Sequence, residues 1–510
     1  AGGECCVIHR VLAAACVFAS AAHADPLFQD ISAGLPDHHY TGGWEHFVGG
    51  GVSAFDCSGD GLPDLVAAGG TAPLLLLKNV SDAGEIAFER AVIDPEITGA
   101  TGAYPVDMNG DGLLDLYVMR VGPDRVLQGG ADCQFTDVTE AWGIPQTDQW
   151  TTAFTAWWED GASFPTLAIG HYVDRANPDG PFGACDTNTL LTPNGGTSPQ
   201  YTAHALSPGY CALSMLAAED ARGLKSLRIS NDRHYYVSGG AEQMWDIAEQ
   251  RFLTEADGWA KVSLWGMGIA SRDLTGDQRD ELMLTSMGDQ LMQVAQADGS
   301  YRGAPYDIGT YAQRPYVPGD GRPSTGWHAS FADVNNDGRA DLFIAKGNVD
   351  QMPGMAMRDP NNLLIQGEDG RFTEVGDTAG VADIARSRGA ALADFDGDGL
   401  LDLAVVNRRA PMRMYRNVTP EAGRFVRIAV RGAGGNRFAV GARVIVTVGD
   451  AVQSQQITIG GGHAGAVLAP LHFGIGDAAE ATVQVRWPDG TQSDPMRVTA
   501  GDQITVTQPD

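Results

Sequence analysis

Lysine is nearly missing, with four residues in 510, and 34 basic side chains face 64 acidic ones for a formal net charge of -30. A surface of that sign repels nucleic acid and anionic membranes, so polyanion binding is excluded as a first reading. None of the lysines follows the glycine that a phosphate loop needs, and neither H-E-x-x-H nor G-x-S-x-G occurs. Long apolar runs are scarce as well. The run Val11 to Ala21 is too short to span a bilayer, and no other stretch is long enough for a membrane helix. Turn residues are plentiful: 66 Gly and 26 Pro separate short β-type runs, and 43% of the residues are hydrophobic. That composition predicts an all-β protein with proper cores, neither disordered nor a helical bundle.

Arg10 precedes the apolar run and Ala22-His23-Ala24 fits the small-x-small rule. Residues 1–24 are therefore expected to be a signal peptide cleaved after Ala24, leaving a secreted or periplasmic protein. Three of the seven cysteines leave with it, and Cys57, Cys133, Cys185 and Cys211 remain where disulfides persist. Cys185 and Cys211 flank a Pro/Gly/Thr/Asn-rich stretch that a disulfide would staple, which leaves Cys57 with Cys133.

A nine-residue acidic loop, followed at once by an apolar run, organises the chain and occurs five times in full. Its oxygen-bearing side chains stand at positions 1, 3, 5 and 9: Asp56, Ser58, Asp60 and Asp64; Asp107, Asn109, Asp111 and Asp115; Asp273, Thr275, Asp277 and Glu281; Asp333, Asn335, Asp337 and Asp341; Asp394, Asp396, Asp398 and Asp402. Position 7 adds a backbone carbonyl from Leu62, Leu113, Arg279, Arg339 and Leu400, and Gly holds position 6 in four of the five. Alternate oxygens converging on one point suit calcium, which takes six to eight hard ligands at flexible geometry, so about five Ca²⁺ ions are expected. An EF-hand or dockerin would need an acid at position 12 and a helix after it. Ala67, Val118, Leu284, Ile344 and Val405 stand there instead, each inside a strand-like run.

Loop starts at 56, 107, 273, 333 and 394, with lapsed copies at Trp158 to Leu167 and Ala218 to Leu227, recur every 51 to 61 residues. Seven units of that length each hold about four strands, the size of a propeller blade. Phe88, Phe135, Phe252 and Phe372 mark the outer strands, and Leu27 to Ile31 carries the same signature, so the N-terminus is expected to complete the last blade. Over about residues 26–420 the sequence resembles the FG-GAP, or VCBS-type, repeat proteins, whose blades carry calcium loops.

After Asn417 the loops stop and strict alternation begins, as in Val426, Ile428 and Val430 or Val483, Val485 and Trp487, which predicts a small antiparallel β-sandwich. The segments Asn436 to Arg443, Gly460 to His463, Leu471 to Gly476 and Arg486 to Gly490 resemble the ASPIC and UnbV domain. The combination is similar to the cartilage acidic protein family, which implies an extracellular calcium-binding scaffold. The expected organisation is thus a signal peptide (1–24), a seven-bladed β-propeller (25–420) and a C-terminal β-sandwich (421–510). Gly460, Gly462 and Gly465 satisfy G-x-G-x-x-G, but no βαβ unit surrounds them, so they are not read as a dinucleotide site.

No catalytic set is recognised. Residues a few positions before each loop should gather at the mouth of the propeller channel, and Trp265, Trp327, His328 and Arg388 fall there as a possible ligand site, with packing between blades as the alternative. Arg233 and His234 are further polar candidates. Two functions remain open: a scaffold that binds an extracellular protein or glycan, and a calcium-dependent hydrolase or lyase acting on extracellular polysaccharide.

Overall fold

The computed structural model describes residues 25–177, 184–232, 240–288, 290–311 and 321–509. Residues 1–24, expected to be a signal peptide, and Arg233 and His234 lie outside the described residues. Strands and a few three-residue helical turns make up the regular structure. No helix among the described residues is long and apolar enough to cross a membrane.

Among the described residues, 25–417 form antiparallel four-strand units, two of which join into one eight-stranded sheet where Met287 and Gly288 pair with Thr325 and Ser324. Their innermost strands are Val52–Phe55, Ala100–Val106, Thr151–Trp157, Ala212–Glu219, Gly266–Arg272, Ser324–Ala332 and Ser387–Ala393. Each packs beside the next, and the last packs beside the first, so the strands close a ring. Crowding at the axis explains their composition, because Ala, Gly, Ser and Thr are the side chains that fit where so many strands converge. The hydroxyls stitch neighbours together. Ser53 Oγ donates to the Ala103 carbonyl, Thr101 Oγ1 to that of Thr151 and Thr152 Oγ1 to that of Ala212, each at 2.6 Å. In this way these three buried hydroxyls are satisfied.

The seventh sheet takes its outer strand from the other end of the chain: Phe28–Asp30 lies antiparallel to Arg413–Asn417, with Phe28 opposite Asn417 and Asp30 opposite Tyr415. Disulfides join Cys57 to Cys133, between the first and second sheets, and Cys185 to Cys211, between the third and fourth.

The C-terminal residues form a three-stranded and a four-stranded sheet. The alternating residues Val426, Ile428, Val444, Val446, Val483, Val485 and Trp487 are buried in a core that runs on into Tyr104, Val106, Phe154 and Leu167 of the ring. Residues 457–468 leave this unit and enter the ring, where Val467–Leu468 pairs in parallel with Ala54 and Phe55. Packing is therefore continuous across the boundary expected near residue 421.

Candidate metal centres

The five acidic loops share one hydrogen-bond pattern. The position 6 amide donates to the position 1 carboxylate at 2.8–3.0 Å in every loop: Gly61 to Asp56, Gly112 to Asp107, Gln278 to Asp273, Gly338 to Asp333 and Gly399 to Asp394. Likewise the position 7 amide donates to the position 5 carboxylate, from Leu62, Leu113, Arg279, Arg339 and Leu400. The position 9 acid reaches back to the amide at position 2, held by Cys57, Met108, Leu274, Val334 and Phe395. Curling the chain this tightly needs left-handed backbone twice per loop. Position 6 has φ near +89° in Gly61, and Gln278, the only non-glycine there, still takes +65°. Position 4 is left-handed too, in Gly59, Gly110, Gly276, Asn336 and Gly397. The repeated glycine at position 4 is the signal that a reading confined to position 6 missed.

Burial leaves the position 9 acids without water. Asp64 is pushed up to about 6 and both Asp115 and Glu281 to about 8, while burial followed by neighbouring carboxylates drives Asp341 far above the usual range. Clustered, desolvated carboxylates call for a cation. In the loop with four carboxylates, oxygens of Asp394, Asp396 and Asp398 lie within 4.8 Å of one another. Arg416 bonds Asp396 and Asp398, each at 2.7 Å, and Arg427 bonds Asp394 at 2.8 Å, yet Asp394 Oδ1 is buried without a partner. An orphaned hard oxygen beside side-chain oxygens and a carbonyl, with no His or free thiol among the loop's donors, fits calcium.

The two lapsed loops carry their own cations. Arg222 bonds Asp220 at 2.6 Å and reaches Asp246 at 3.4 Å, and Lys225 bonds Asp160 at 2.7 Å. A guanidinium and an ammonium thus balance the acids that remain there.

The C-terminal unit sits on the acidic-loop face. Arg486 makes a two-pronged bond to Glu219 at 2.6 and 2.8 Å, Arg443 bonds Asp280 at 2.7 Å, and Ser454 Oγ donates to Asp273 at 2.7 Å. The Gly423 and Gly476 amides donate to the Asn335 and Asn336 carbonyls of the loop at 333. A cavity of about 200 Å³ remains between the two parts, lined by Arg272, Asp333, Asp394, Arg427 and His472 among others.

From this unit the glycine-rich segment runs up the channel. Ile459 bridges Ala156, Gly460 bridges Leu216 and Gly462 bridges Ile269, so three inner strands are paired in turn. The Gly461 and Gly462 amides donate to the Met215 and Ile269 carbonyls at 2.7 and 2.6 Å. A Cβ on Gly462 would stand 2.4 Å from the His328 ring, and one on Gly465 would stand 2.2 Å from the Val52 carbonyl. The G-x-G-x-x-G string is thus a narrow plug for a crowded channel.

The candidate channel-mouth residues meet this segment. His328 Nδ1 accepts from the His463 amide at 3.1 Å, and its Nε2 meets Ser330 Oγ at 2.6 Å. His463 Nδ1 donates to the Met267 carbonyl at 3.0 Å and its Nε2 accepts from the Gly49 amide at 3.1 Å. Burial holds both rings neutral, with His328 pushed down to about 3 and His463 to about 4. The Trp327 ring lies 5.0 Å from His463, and the Arg388 guanidinium stacks 4.0 Å over Trp327. Arg388 donates to the Phe47, Ser387, Asn348 and Val349 carbonyls and is wholly buried. Trp265 is half-buried and packs against the same cluster. The structure brings these residues together, but around His463, because the chain's own segment takes the volume a ligand would need.

Two family comparisons match parts of the chain. The FG-GAP-like repeat matches residues 56–118, which hold the first two loops, and ASPIC and UnbV matches residues 432–510. The chain therefore carries an FG-GAP-like repeat and an ASPIC and UnbV segment on an all-β, propeller-like framework. It is similar to cartilage acidic protein 1 of Mus musculus and of Homo sapiens, each 28% identical over 163 residues, or 31% of this chain. The match spans only about a quarter of those relatives, 25% and 24% of their lengths. Among solved structures, BBS1N in complex with ARL6DN, soaked with lead, has a TM-score of 0.42 at 10% identity over 76% of this chain and 96% of that one. The Dos1 propeller has 0.35 at 12% identity over 72% and 92%.

Proposed function

We propose that the protein is an extracellular scaffold: a seven-bladed propeller closed by its own N-terminal strand, held by about five calcium ions, with a β-sandwich seated on the calcium face. The observation that carries this reading is the hydrogen-bond pattern shared by five loops that together hold sixteen carboxylates. Both disulfides suit an exported protein, since such bonds persist in oxidising compartments. A scaffold suits the channel, which is filled by residues 460–465; a hydrolase or lyase using the axis of the ring would need that space. Its partner is then an extracellular protein or glycan that meets an outer surface.

The test is a melt with and without chelator, alongside native mass spectrometry. At free calcium a hundredfold above the dissociation constant, each ion adds about 2.7 kcal/mol. Five ions in the spectrum and a melting temperature lowered by tens of degrees in EDTA are expected. An unchanged melt would overturn the calcium reading, and seven ions would show that Arg222 and Lys225 do not replace them.

A further inference from the structure

Seven outer strands each pair with a single neighbouring strand among the described residues, and their outward edges carry few backbone bonds, such as Phe28 to Ala379 and Tyr201 to Trp142. Such an edge is a template for another chain, and proteins blunt it by shortness and charge. Six of the seven follow that rule. Phe28–Asp30, Phe88–Ala91, Phe135–Asp137, Arg251–Phe252, Tyr301–Gly303 and Phe372–Glu374 are two to four residues long, and each holds at least one charged side chain.

The outer strand of the third sheet, Tyr201–Leu206, breaks it. It has six residues, none charged, and the four from Thr202 to Ala205 are exposed. It lies in a run from 187 to 218 with no Asp, Glu, Lys or Arg, in a chain where those residues make up 19%. Backbone direction is fixed at its start. The Gln200 carbonyl accepts from Asn194 on the paired side at 2.7 Å, and the Tyr201 amide donates outward to Trp142 at 3.2 Å. Alternation then turns the amides and carbonyls of Ala203 and Ala205 outward, with only methyl side chains beside them.

We infer that this edge pairs with the same edge of a second copy of the chain. Two-fold antiparallel pairing about His204 sets Ala203 opposite Ala205 of the other copy, and Ala205 opposite Ala203. Four N–H···O bonds form, which use all four outward groups of each alanine pair. Charge selects the occupant: at a net charge of -30 two copies repel across most of their surfaces, and the strands Asn188–Pro193 and Tyr201–Leu206 bring no Asp or Glu of their own to the contact. The short side chains let the backbones close to ladder distance.

Sedimentation velocity on the full chain from ~1 to ~100 μM tests this, a range that covers micromolar association. A concentration-dependent dimer is expected. Ala205→Pro removes an outward donor without touching the paired side, and His204→Lys sets two ammonium groups face to face; both should be monomeric with an unchanged melt. His204→Cys should form a disulfide-linked dimer on oxidation, because opposed residues at a non-hydrogen-bonded position lie about 4.5 Å apart. Ala91→Cys, on a short charged edge, should not. A monomer at every concentration overturns the inference, as does a dimer that survives Ala205→Pro. A monomer that instead captures an extended peptide from another protein overturns it too.

Discussion

The side chain at position 6 of the third intact loop sets a small, readable cost. Gln278 holds φ at +65°, where its four counterparts are glycine. A residue with a Cβ in that region gives up about 1–2 kcal/mol, so Gln278→Gly should raise stability by roughly 1 kcal/mol after the glycine's own entropy is counted. Asn336, at position 4 of the next loop, also has a positive φ, but the same change should act in reverse there. Its amide donates to the Gly399 carbonyl at 3.0 Å and its oxygen accepts from His472 Nε2 at 2.6 Å. Asn336→Gly would strand both buried groups, and a loss of about 1–3 kcal/mol is expected. Urea unfolding in calcium distinguishes the two; if both variants shift alike, backbone conformation alone governs these positions.

At the scale of elements, the plug and the inner strands are made for each other. Gly51 and Gly102 face the Ala464 carbonyl so closely that a Cβ would stand 1.7 and 2.1 Å from it, and Gly465 meets Val52 in the same way. Gly465→Ala should therefore cost several kcal/mol, since backbone sits on both sides and cannot yield. Gly354, with nothing within 4 Å of an added Cβ, is the matched control, expected to stay within about 0.5 kcal/mol on change to Ala. Equal melting temperatures for the two variants would mean that the segment is held loosely. Other elements were readable from sequence. The apolar residue at position 12 of each loop pointed to strands, and the repeated phenylalanine signature pointed to the N-terminal strand beside Arg413–Asn417.

For the whole molecule, acid is a specific weakness. Burial pushes His171, His328 and His472 down to about 3, and His463 to about 4. A group depressed in the folded state takes up its proton on unfolding, so its contribution is complete above the ordinary value of 6.5 and is lost as the pH falls below it. With calcium saturating the loops, the melting temperature should hold steady above about pH 7 and fall towards pH 5. His171→Gln should lose about 2 kcal/mol less than the parent between those limits. A parallel fall in parent and variant would place the acid sensitivity elsewhere.

What the sequence determined by itself is what repeats locally: the loops, the strand after each and the alternation after Asn417. In these the residues that define a feature lie within a dozen positions of one another, and their geometry is dictated by short-range hydrogen bonds and side-chain period. The fate of the channel was decided only in three dimensions. Trp327, His328 and Arg388 read as mouth residues from their distance to a loop, and that distance is correct, but what faces them is His463, more than seventy residues away in sequence from the nearest of them. Whether a space at the centre of a ring is open depends on the volume left by every strand around it, and no local pattern carries that sum. The glycines at 460, 462 and 465 were set aside as no dinucleotide site, and only the ring around them shows why a side chain would not fit there.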